Sequence, residues 1–156
     1  MFFKDGAANY LNALGTLFSG AAAIMSNSEE DSIREKLQGL EGLTIDLHII
    51  GLAEKMVVIS EKGQVQPEGF PAPINPDRPA YLGKLRQFHS DIAGIAVIGD
   101  NPFLDVFPVL LNGGYGILLE TEVTQGYEIP FLKAHPRGHF ARNYDEALRF
   151  LELHKA

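Results

Sequence analysis

The sequence predicts an α/β fold: a parallel sheet with helices on both faces. Two observations carry that expectation. Helical segments and short apolar, strand-like runs alternate along the chain, which favours strands joined by helical crossovers. The run Ile95 to Ile98 also suits a strand buried on both faces, and Gly-Asp-Asn-Pro follows it as the exit into a helix. With 156 residues, 46% of them apolar and 21% charged, one domain with a sizeable core is expected, and no repeat or linker divides it.

Residues 7 to 18 place Ala8, Leu11, Leu14, Leu17 and Phe18 at helical spacing, and residues 21 to 25 follow as a strand ending in Ser26-Asn27-Ser28. Ser28 with Asp31 resembles a capping box for a helix carrying Ile33, Leu37 and Leu40. Gly42 would end that helix, and residues 44 to 50 read as the next strand. Residues 55 to 60 form a strand entering a tight turn at 61 to 64, and the five prolines between 66 and 79 require an irregular connection. A helix over 79 to 89, the strand at 94 to 99, a helix over 102 to 112 and a strand over 115 to 119 follow. Asn101 caps the helix at 102, with Pro102 in its first turn, and Pro108 should kink it. Asn143 with Glu146 caps a terminal helix built on Ala147, Leu148, Phe150 and Leu151.

Composition narrows the function classes. A formal charge of −7 without a basic run argues against nucleic acid or acidic membranes as partners. The chain has no apolar run of membrane-spanning length, and its start lacks the order of a signal peptide, so a cytoplasmic location is expected. Without cysteine there is no disulfide, thiolate nucleophile or cysteine-ligated zinc.

The richest segment is Gly-Ile-Ala-Val-Ile-Gly-Asp-Asn-Pro-Phe-Leu-Asp at 94 to 105. Asp100 falls at the carboxyl end of a strand, where open α/β sheets bind ligands, and with Asp105 it would suit a hard cation such as Mg²⁺. The plainer alternative is that Asp100 belongs to a helix cap. Ala-Ile-Met-Ser-Asn-Ser at 23 to 28 is the second such strand end. In a parallel sheet Ser26, Asp100 and Asp105 should then share one rim.

In these two segments, their order and their separation, the chain from about residue 5 onward resembles the haloacid dehalogenase-like (HAD) superfamily of phosphatases and related hydrolases. The resemblance implies a three-layer Rossmann-like sheet without a cap domain, acting in Mg²⁺-dependent hydrolysis of a small phosphorylated molecule. Ser26 and Asn27 would hold the transferring phosphoryl group, and Asp100 and Asp105 would hold Mg²⁺. The family's Asp-x-Asp-Gly motif, which supplies the nucleophile and the general acid–base, is missing. Phe3-Lys4-Asp5-Gly6 keeps only its Asp-Gly half, which makes Asp5 the one candidate carboxylate. Asn75 stands where the family's phosphate-binding lysine is expected, and Lys84 on the next helix is the alternative cation, or a plain surface lysine.

The family's first strand, which lies between those carrying the second and fourth motifs, is also missing. An open slot there would leave backbone groups unpaired at about 1 to 3 kcal/mol each. The strands at 21 to 26 and 94 to 99 are therefore expected to pair directly, or Met1-Phe2-Phe3, a second copy in a homodimer or a strand-donating partner fills the gap. The same scaffold could equally be a non-catalytic binding or interaction module.

Other constellations carry less. His135-Pro-Arg-Gly-His139 reads as a basic loop, not a metal site, and Arg137 suits a bidentate phosphate contact if the loop faces the carboxyl ends of the strands. Asn112-Gly113-Gly114 is explained by a helix terminus and a turn. His48 is expected as a hydrogen-bonded core or edge residue.

Overall fold

A computed structural model describes residues 5–19, 21–55 and 60–155. The amino-terminal stub and most of the strand expected at 55 to 60 lie outside those residues. The fold is α/β, with two small parallel sheets and helices. No helix among the described residues is long and apolar enough to cross a membrane. The chain divides into two compact units, Met1–Glu54 with Leu148–Ala156, and Lys55–Ala147.

The first unit contains α1 (Ala7–Leu17), β1 (Ala23–Met25), α2 (Glu30–Gln38) and β2 (His48–Ile50). β1 and β2 pair in parallel, with Ala23 opposite His48 and Met25 opposite Ile50. Helix α1 buries Ala7, Leu11 and Gly15, a stripe at intervals of four, together with Tyr10. Gly15 is the contact point: an added Cβ would lie 2.3 Å from the Ile45 side chain, so the segment before β2 packs directly on helix backbone.

Asn12 then holds that segment. Its Nδ2 donates to the Gly42 carbonyl at 2.8 Å, and its Oδ1 accepts from the amides of Thr44 and Ile45 at 3.0 and 3.3 Å. This explains why the strand expected over 44 to 50 shrinks to His48–Ile50: a side chain takes the amides that a ladder would use. His48 is an exposed edge residue. Helix α2 ends at Gly39, ahead of the expected Gly42, which sits instead in the following turn at φ +88°. The expected Ser28 cap does not form. Glu29 is the N-cap and makes no side-chain bond, while the Ser28 amide donates to Ser26 Oγ.

The second unit holds α3 (Pro79–Phe88), β3 (Ala96–Gly99), α4 (Phe107–Leu111), β4 (Tyr115–Leu119), α5 (Glu128–Ala134) and β5 (Gly138–Ala141). Its strands are parallel in the order β3-β4-β5, and Gly116, Ile117 and Leu118 of the middle strand are buried. The pairing expected between the strands at 21 to 26 and 94 to 99 is not formed: among the described residues β1 pairs with β2 and β3 with β4. α5 and β5 were not foreseen, and His139 lies in β5 instead of in a basic loop. The helix α6 (Tyr144–His154) begins with the expected box. Asn143 Oδ1 accepts from the Glu146 amide at 2.9 Å, and Glu146 accepts from the Arg142 amide at 2.8 Å.

The proline-rich connection is irregular, as expected, but anchored. Phe70 and Ile74 are buried, and Phe70 meets the rings of Phe103, Phe107, Tyr127 and Phe131 at centroid separations of 4.9 to 6.0 Å. Edge-on aromatic pairs of this kind add about 0.5–1.5 kcal/mol each beyond burial. The helix expected over 102 to 112 starts as a wide π-type turn, Pro102–Val106, and becomes regular only at Phe107. Asn101 caps it, accepting from the Leu104 amide at 3.0 Å. Pro108 therefore stands in the first turn of the regular helix, where a missing N–H costs nothing, and the expected kink is replaced by the wide turn.

Replacing Asn12 with Ala frees two amides and a carbonyl, and should lower unfolding stability by about 1–3 kcal/mol in urea titrations. Amide exchange at Thr44 and Ile45 should accelerate ahead of that in β2, and unchanged exchange at both would show that Asn12 does not hold this segment.

Candidate functional site

Asp105 projects from the wide turn back over the end of β3. A Cβ on Gly99 would lie 2.7 Å from Asp105 Oδ2 and 2.8 Å from its Cβ, so only glycine lets the carboxylate sit against the strand terminus. There Lys55 Nζ meets Asp105 Oδ1 at 3.0 Å, with the two side chains 19% and 10% exposed. Asp105 is buried at 7% exposure, and its backbone carbonyl accepts from the Tyr81 hydroxyl at 3.0 Å.

Arg78 completes the cluster at 3% exposure. Its Nη1 donates to the Phe103 carbonyl at 3.4 Å, and its guanidinium lies 5.4 Å from the centre of the Tyr81 ring. Its Nη2 is buried with no hydrogen-bond partner among the described residues. Burial pulls the Arg78 pKa down, opposed by the nearby Tyr81 and Asp105, yet a guanidinium stays charged. Burial, then the Asp105 carboxylate, push the Tyr81 phenol up, so it remains a neutral donor. One carboxylate thus faces two cations.

The other expected residues fall partly in the first unit and partly in the second. Asp100 is exposed just beyond β3, and after burial it is the second cause raising the Tyr144 phenol pKa. Ser26 directly follows β1 in the first unit. Its amide donates to the Ile50 carbonyl, its Oγ accepts from the Ser28 amide at 3.2 Å, and Asn27 beside it is exposed. Asp5 is exposed in the turn before α1, and Lys84 is half-buried on α3. Asn75 accepts from Gln64 Nε2 at 2.9 Å. Arg137 immediately precedes β5, so it lies at the amino edge of the parallel sheet and not at the carboxyl edge where Asp100 sits.

Among the described residues no three His, Asp or Glu side chains gather as a metal site. The groups around Asp105 do not fit Mg²⁺, since the ion would have to displace an ammonium and lie near a guanidinium. Sequence reasoning missed Lys55 and Arg78. Arg78, directly before the proline that opens α3, carried a local hint; Lys55 carried none, because tertiary folding alone brings it to Asp105. No protein-family model, curated protein or solved structure matches the chain.

The surplus of positive charge sets an asymmetry. Asp105→Asn removes the carboxylate that both cations face and should cost about 2–4 kcal/mol, less than a fully buried pair because Lys55 touches water. Lys55→Met removes one of the competing cations and should cost less than half as much. Chemical denaturation of the two variants measures the difference, and equal losses would refute a cation-rich cluster.

Proposed function

We propose that this chain is a single HAD-like domain that binds a small phosphorylated molecule without hydrolysing it, at Lys55 and Arg78 beside Asp105. The buried Nη2 of Arg78, which has no hydrogen-bond partner among the described residues, carries the reading. A buried donor without an acceptor is costly and calls for a missing ion or water, and here the surrounding charge favours an anion. A phosphoryl group offers several acceptor oxygens, which suit both the planar fork of Arg78 and the ammonium of Lys55. Lys55, the most exposed member, is the point of entry.

Turnover is not expected, because phosphoryl transfer through a carboxylate needs an aligned, free nucleophile. Asp105 is held by Lys55, and Asp5 lies exposed ahead of a helix. The topology supports the Rossmann-like, HAD-like scaffold. The strands of each unit are parallel, a pair β1-β2 and a triplet β3-β4-β5. β1 and β3 each have one neighbour among the described residues. Those edges also suit a strand from a second copy or another polypeptide. The acidic composition without a basic run supports a protein with no nucleic-acid partner, and a cytoplasmic location is part of the same proposal.

Phenyl phosphate titrated into the full chain with Mg²⁺ tests this. The amides of Lys55, Tyr81 and Asp105 should shift saturably, with no phenol released above the buffer rate. Phenol release that disappears in Asp105→Asn would establish hydrolysis in place of simple binding, and absence of saturable shifts would reject the phosphate reading.

A further inference from the structure

We infer that a second small-molecule site lies at the amino edge of the three-stranded sheet, and that it takes a monocarboxylate bearing a short apolar tail. A depression of about 490 Å³ opens there, within the range of small-ligand pockets, and Leu110, Leu111 and Pro136 supply its apolar lining.

Its polar end is built from Arg137 and His135. Arg137 Nη1 donates to the carbonyls of Ala93 and Gly113 at 3.1 and 2.6 Å, and the guanidinium carbon stands 4.8 Å from the centre of the Tyr115 ring. These contacts come from the segments leading into β3 and β4, while Arg137 itself leads into β5. The guanidinium is therefore fixed before any ligand arrives, which lowers the entropy lost on binding. Both of its hydrogen bonds among the described residues use Nη1, leaving the Nε–Nη2 edge for a carboxylate.

His135 adds one donor. Its Nδ1 accepts from the Arg137 amide at 3.2 Å, which places the ring proton on Nε2. Burial, then Arg137, lower the His135 pKa, so the ring is neutral at pH 7 and the site carries a single positive charge. One charge, a planar fork and an apolar lining match a monoanion with a hydrocarbon tail better than a phosphate ester. The site is independent of the cluster at Asp105.

Hexanoate, acetate and hexylamine titrated separately into the full chain, followed by backbone amide shifts, test this site. Hexanoate should shift Gly113, His135 and Arg137 saturably. Acetate should bind at least about tenfold more weakly, since it lacks four methylenes, and hexylamine should not bind. Arg137→Gln should abolish binding but also loosens three strand ends. Pro136→Glu provides the cleaner variant, because it alters an exposed residue, keeps every Arg137 bond and adds a competing carboxylate. It should weaken hexanoate about tenfold or more, in line with one charged hydrogen bond. Equal binding of hexanoate and hexylamine, undiminished hexanoate binding in Pro136→Glu, or no saturable shift in the unmodified chain would each overturn the inference.

Discussion

In the larger unit the buried carboxylate of Asp105 is shared between the ammonium of Lys55 and the field of the Arg78 guanidinium, and much of the local backbone is arranged around that sharing. Gly99 has to be glycine for the carboxylate to reach the strand end. The wide turn after Asn101 aims Asp105 backward, and Tyr81 secures its carbonyl. Setting a buried cation and a half-buried one against one anion is unfavourable in a low-dielectric interior unless something further compensates. This is the ground on which we propose an anion for the site, and stability given up for binding is a common trade.

This arrangement turns the expected chemistry around. Two aspartates beyond a strand suggest a cation site when read along the chain, and the resemblance to phosphatases strengthens that suggestion. In three dimensions Asp105 is ion-paired with Lys55, Asp100 is exposed, and the buried donor without a partner among the described residues belongs to a guanidinium. It is on this ground that we propose an anion, and not a cation, for the same strand terminus. The proposed binding needs no free carboxylate, whereas covalent catalysis would need an ionised and unengaged nucleophile.

How much was legible follows from how far apart the partners lie in the chain. The β3 exit was readable because Gly99, Asn101 and Pro102 act on their immediate neighbours, and the Asn143–Glu146 cap was readable for the same reason. The shortened β2 was not, since Asn12 takes the Thr44 and Ile45 amides from more than thirty residues away. α5 was hidden by Pro130, which is tolerated in a helix's first turn, and β5 by Gly-His-Phe-Ala, which contains no β-branched residue. Of the candidate site, Asp100 and Asp105 could be named from local pattern, but their partners could not. Lys55 lies fifty residues before Asp105, and no spacing rule connects the two.

The most direct measurement is the thermal stability of the unmodified chain and of Arg78→Met, each with and without inorganic phosphate. If Arg78 is an uncompensated cation held for an anion, Arg78→Met should be as stable as the unmodified chain or more so in phosphate-free buffer, because an apolar side chain removes the charge imbalance. The unmodified chain should gain stability as phosphate rises, following the logarithm of ligand concentration, and the variant should not. A strongly destabilised variant together with an unmodified chain indifferent to phosphate would contradict this, and would make Arg78 a structural cation already satisfied by Asp105.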